Sequence, residues 1–189
     1  ISGRTKEGLG IGFLNTVTKK TDVVIRDVNT GVERVETVEP LANYNVLVLD
    51  QRFNGNSSVS LINTNVTRNG NFRDANVTAT AFDLNTKKNT YNFNGVYRFS
   101  HVNDYKNMEN KNGYSTNVGF GETSGKIRFS VNGEYVSDDY DNNDLGVNFQ
   151  TNYYSLYGNV NYRTLKPTKK LNSFRINFNV FTQYDNRTN

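Results

Sequence analysis

Residues 91–101 read YNFNGVYRFSH. Tyr91, Phe93, Gly95, Tyr97 and Phe99 occupy every second position, with Asn92, Asn94, Arg98 and Ser100 between them. Successive side chains of a β-strand point to opposite faces, so this spacing writes a strand with one apolar side and one polar side. The pattern recurs where Ile127, Phe129, Val131 and Tyr135 alternate with Arg128, Ser130, Asn132 and Glu134. It recurs again where Phe174, Ile176, Phe178 and Val180 alternate with Arg175, Asn177, Asn179 and Gln183. A helix repeats every 3.6 residues and would scatter these apolar positions around its circumference.

Working outward, the whole chain divides into about eleven such segments joined by connectors of two alternating kinds. Short connectors fall at 6–8, 53–57, 85–89, 123–125, 150–152 and 185–187, and mostly longer ones at 19–42, 68–73, 102–112, 138–144 and 165–172. Both prolines, Pro40 and Pro167, lie in the second kind, where a missing N–H interrupts no ladder. Alternate apolar strands with alternate turn lengths are the signature of an outer-membrane barrel, with short turns in the periplasm and long loops outside. The expected fold class is therefore all-β, a transmembrane antiparallel up-and-down β-barrel, with residues 1–189 as one barrel segment. Within 19–42, Asn29, Thr30 and Gly31 form a turn signal between two alternating runs, so a hairpin raised above the membrane is expected there.

Composition excludes the helical alternative. Mean hydropathy is −0.70 and hydrophobic content 35%, and no apolar run reaches the roughly 20 residues a transmembrane helix needs. A barrel strand places only alternate residues in lipid, so this polarity is compatible with a membrane barrel. Cysteine is absent, which removes disulfides and thiolate metal sites. The net charge of +4 comes from Lys and Arg scattered through strands and turns, leaving no basic stripe for nucleic acid. A first strand that starts part-way along its length and an odd strand count point to an internal stretch of a larger barrel. The strand at 1–5 is then not expected to pair with that at 173–184.

At three places the residues resemble a known family. The stretches SGRTKEGLGIGFLN (2–15), EPLANYNVLVLDQ (39–51) and YDNNDLG (140–146) are similar to the barrel half of a domain-of-unknown-function family of Gram-negative outer-membrane proteins. The resemblance implies a long barrel preceded by a periplasmic domain similar to a family-nine carbohydrate-binding module. It implies localisation in the cell outer membrane and outer-membrane lipid as partner, with other outer-membrane or periplasmic proteins as further candidates. The family has no established reaction, so no catalytic residue is carried over, and sugar binding by the preceding domain is not carried over either.

On the residues alone, Phe93, Tyr97, Phe129, Val131, Ile176 and Phe178 are expected to face lipid. Arg98, Arg128, Glu134, Arg163 and Arg175 are expected to face the lumen, where arginines commonly pair with carboxylates of other strands or of a plug and less often select anions. Tyr44, Tyr97, Tyr114, Tyr135, Tyr154, Tyr162 and Tyr184 suit an aromatic girdle at headgroup level. Asp139, Asp141 and Asn143 have the spacing that opens a calcium loop, but Asp144 replaces its glycine and Gln150 its bidentate Glu, so a solvated loop is the stronger reading and no metal or other cofactor is expected. His101, the sole histidine, is read as a rim residue. The sequons at Asn56, Asn65, Asn76 and Asn186 are chance matches in an Asn-rich chain.

The expected function is a non-enzymatic channel, transport or assembly component. Two readings compete with it: a soluble extracellular β-sandwich or adhesin binding glycan or protein, and an outer-membrane hydrolase with its site at the barrel mouth. The sandwich would bury the apolar face in a core, whereas the barrel leaves it as an exposed band.

Overall fold

The computed structural model describes residues 1–105, 107–164, 167 and 169–188. The elements in chain order are β1 (Ser2–Arg4), β2 (Leu9–Thr18), β3 (Thr21–Arg26), β4 (Glu33–Glu39), β5 (Ala42–Phe53), β6 (Ser57–Arg68), β7 (Arg73–Asn85), β8 (Tyr91–Asp104), β9 (Glu109–Glu122), β10 (Ile127–Val136), β11 (Tyr153–Thr164) and β12 (Phe174–Asp185), followed by a 3-10 turn at Asn186–Thr188. Ten strands form one antiparallel sheet in the order β1-β2-β5-β6-β7-β8-β9-β10-β11-β12. Each strand pairs with its successor in the chain except at the step from β2 to β5, where the separate hairpin β3-β4 intervenes. The all-β, up-and-down reading of the sequence therefore holds. The sheet is open, with β1 and β12 at its two edges and no pairing between them among the described residues.

Turn chemistry follows the residues. The tip joining β5 to β6 places Asn54 and Gly55 at φ of 50° and 76°, a region open to Gly and tolerated by Asn. In the hairpin β3-β4, Asp27 Oδ1 accepts N–H groups of Asn29 and Thr30, each at 2.8 Å. The hairpin expected within 19–42 is present.

The strand count departs from expectation. No strand forms at 145–149, so 137–152 is a single excursion between β10 and β11, closed by the pairing of Val136 with Tyr153. Leu145, Val147 and Phe149 do alternate, but Val147 and Phe149 are exposed and the segment has no ladder partner. Alternation without a partner does not make a strand.

This changes the end of the chain. β11 now runs away from the long connectors, so the end of β11 and the start of β12 lie with the short turns, where Arg163 N–H donates to Lys126 O at 2.8 Å. The turn after β12 lies at the long-connector end, where Asn186 N–H donates to Asn152 O at 2.8 Å. Both positions are opposite to those expected from connector length. The expected loop at 165–172 itself falls partly outside the described residues.

Residues directly opposite in an antiparallel ladder share a face. Following the register, Phe93 pairs with Phe120, Phe120 with Val131, Val131 with Gly158 and Gly158 with Val180. Phe129 pairs with Val160, Val160 with Phe178, and Tyr162 with Ile176. These residues, with Tyr97, form one continuous apolar face. Arg98, Arg128, Glu134, Arg163 and Arg175 lie together on the opposite, polar face.

Candidate functional site

The two faces are packed in an unexpected way. On the apolar face Val131, Ile176 and Phe178 are 46%, 56% and 65% exposed. The buried strand hydrophobics Ala42, Val66, Ala75, Ala79, Val102 and Val136 all lie on the polar face. Across the long-connector ends of these strands turns the excursion 137–152, which meets Ser100, Gly113, Arg68 and Arg73 on that face.

Small residues make room for it. Ser100 on β8 and Gly113 on β9 stand opposite each other, and a Cβ on Gly113 would lie 2.2 Å from Tyr140 N. Only a glycine lets the loop backbone come that close. Asp141 N–H donates to the Ser100 hydroxyl at 3.0 Å, and Tyr114 N–H donates to the Ser137 hydroxyl at 2.8 Å. Tyr140 is thereby buried, although its hydroxyl is unpartnered among the described residues.

Charge fixes the far end of the loop. Arg73, the first residue of β7, donates from Nε and Nη2 to Asp144 Oδ2 at 2.9 and 2.6 Å, and its Nη1 lies 2.9 Å from Asp141 Oδ2. Arg68, the last residue of β6, brings Nη2 to 2.7 Å from Asp144 Oδ1. Such forked guanidinium–carboxylate contacts hold both distance and orientation. Asp144 is the more buried carboxylate, with a 9% exposed side chain. Burial opposes the charged form of Asp141, but hydrogen bonds from Arg73 and from Asn143 N–H outweigh it and hold its carboxyl below the ordinary aspartate value.

The candidate residues fall out as follows. Arg98 Nη1 lies 3.4 Å from Ser115 Oγ, Glu134 accepts the Tyr153 hydroxyl at 3.1 Å, and Arg175 donates to Asn177 Oδ1 at 3.0 Å. Arg128 donates to Gly125 O at 3.4 Å, and Arg163 stands directly opposite Arg175. The arginines paired to an infolded loop are Arg68 and Arg73, which the alternation reading did not single out because they sit at strand ends. The signal available was two arginines flanking one connector of the second kind and an Asp-rich segment elsewhere. In the calcium-like series, a guanidinium occupies the position a cation would take beside Asp141, and Asp141 Oδ1 accepts Asn143 N–H at 3.0 Å. Among the described residues no group of three or more His, Asp or Glu side chains is arranged to hold a metal.

Of the seven tyrosines read as a girdle, all but Tyr44 lie in two aromatic rows on the apolar face. Near the long-connector end, Tyr97 and Tyr114 rings are 6.3 Å apart, Tyr114 and Tyr135 5.5 Å, and Tyr154 and Tyr184 5.0 Å. Near the short-turn end, Tyr91 and Phe120 are 6.0 Å apart, Phe120 and Phe129 5.8 Å, and Tyr162 and Phe174 6.4 Å. Tyr44 does not belong to this set: it pairs with Thr16 and Val66 on the polar face. His101 lies on the apolar face towards the long-connector end, its Nδ1 2.6 Å from Asn112 Oδ1, in line with Asn76.

Compared with known proteins, the whole chain, residues 1–189, matches the model of a family described as a domain of unknown function, DUF5916. No curated protein and no solved structure matches.

Proposed function

Starting from a chain that belongs to the DUF5916 family, we propose that it forms part of the wall of a transmembrane β-barrel in the outer membrane of a Gram-negative bacterium, a non-enzymatic component of a channel, transport or assembly system. The observation that carries this is the uncovered apolar face bounded by two aromatic rows. Tyr154 and Tyr162 on β11 are eight residues apart, roughly 26 Å along a strand. Tilted by about 40°, that spans about 20 Å of height, close to the roughly 25 Å apolar band of such barrels. A soluble sandwich would need a second layer over this face, and none is present among the described residues. Outer-membrane lipid is the partner this face suits, and a preceding domain similar to a family-nine carbohydrate-binding module belongs to the same proposal.

The polar face then lines the lumen, and 137–152 is an inward-folded loop that narrows it. The edges β1 and β12 carry unpaired backbone groups, each costing several kcal/mol in hydrocarbon, so further strands must pair with both edges to close the wall. Single cysteines test the arrangement against a chain with no native thiol. In intact cells a membrane-impermeant maleimide should label Asn29→Cys, while Thr86→Cys and Lys170→Cys should react only after the outer membrane is opened. Labelling of all three in intact cells, or recovery of the protein without membranes, would sink the proposal.

A further inference from the structure

Below the loop, the polar face holds an amide-lined hollow of about 190 Å³. Its lining includes Asn92, Asn94, Ser130, Asn132, Asn159 and Asn161, and the register sets Gly119 and Tyr157 beside it, in the row of Asn94 and Asn132. Gly119 lets the two amides of its row lie over the strand, since a Cβ there would collide with Asn132 Oδ1 and lie 2.9 Å from Asn94 Oδ1. Asn161 Oδ1, in the lining, is buried and without a hydrogen-bond partner among the described residues. A buried acceptor left unpaired costs free energy that a donor group arriving in the hollow would recover.

The chemistry of the lining selects the ligand. Each Asn amide both donates and accepts, which matches hydroxyl groups, themselves donors and acceptors. Next to Asn132 stands Tyr157, whose hydroxyl donates to Asn179 Oδ1 at 2.9 Å, and Tyr157 pairs with Phe181. Both rings are exposed on a face otherwise rich in Asn, Ser and Arg. An aromatic plane beside bifunctional amides suits a molecule with hydroxyls at its rim and C–H groups on its flat side. We propose that this hollow binds a neutral, hydroxyl-rich ring, a saccharide, with Asn132 and Asn161 reading hydroxyls and Tyr157 packing against the ring. Arg128 also lines the hollow, but its Nε is turned to Gly125 O at 3.4 Å and it is assigned no contact with the ring.

This site is independent of whether the opposite face meets lipid. The intact protein in lauryldimethylamine-oxide micelles, a detergent without sugar groups, is titrated with glucose, sucrose and inorganic phosphate and followed by saturation-transfer NMR and calorimetry. Saccharide binding is expected, weakened about tenfold by Asn132→Leu, which removes roughly one to two hydrogen bonds, and similarly by Gly119→Ala and Tyr157→Ala. Arg128→Gln should change it less than threefold. Saccharide binding insensitive to these three substitutions, phosphate binding that Arg128→Gln abolishes in place of sugar binding, or no saccharide binding by the unsubstituted protein would each overturn the proposal.

Discussion

The two faces of this sheet invert the usual arrangement of a folded domain. The apolar face, which carries Phe93, Val131, Val160 and Phe178, is open, whereas the face of Arg, Asn and Ser contains the buried Val66, Ala79 and Ser100. A water-soluble sheet buries its apolar side because removing apolar area from water is the main favourable term in folding. On the proposed reading the bare side meets lipid, which removes the need for a covering layer. The polar side needs no apolar core because charge pairs and amide hydrogen bonds hold the loop on it.

The sharpest break of this comparison is a charge in the middle of the apolar face. Val131→Arg should destabilise the membrane-inserted protein by about 2–4 kcal/mol, and Ile176→Arg, level with the lower aromatic row, by about 1 kcal/mol. Ser155→Arg, on the polar face opposite Glu134, should cost little. Refolding titrations into lipid vesicles measure all three, and equal effects on the two faces would remove the distinction between them.

Next in size is release of the infolded loop. Gly113→Val would drive a side chain into the Tyr140 backbone, and Arg73→Ala would remove the fork to Asp144 at a cost of about 1–2 kcal/mol, given partial exposure. Both should make 137–152 cleavable by protease while the sheet's circular dichroism is kept. An uncleaved loop in the Gly113 variant would show that the excursion is held elsewhere.

The smallest expected effect is on acidification. Asp141 is held below 3.8, the value of an unperturbed aspartate. A depressed carboxyl contributes stability above that value and loses it as the pH falls through its own lower one. Loop protection should thus persist through mildly acidic pH and fail only below about 3.8. Asp141→Asn should weaken protection at neutral pH and flatten the acid step. A loop already released near pH 6 would point to a different titrating group.

Much of this was legible in the residues. Period-two alternation assigned most residues of β8, β10 and β12 to the correct face, because in a ladder the face follows from counting. The same counting misplaced 145–149, where Leu145, Val147 and Phe149 alternate but no neighbouring strand is in reach. It also missed Arg68 and Arg73, whose partners Asp141 and Asp144 lie about 70 positions away in sequence, beyond the range of any local pattern.

What the sequence alone determined is the strand character of the chain, the split into an apolar and a polar face, and the hairpin between β2 and β5, since each depends on neighbours within a few residues. The tertiary structure decided that 137–152 is one inward-folded loop, that β11 and β12 consequently run opposite to the order the connector lengths suggested, and that Gly113 admits the loop backbone and Gly119 the Asn94 and Asn132 amides. Those outcomes depend on which distant backbone and charged groups meet. A chain's local spacing fixes where a side chain points but not what arrives to meet it.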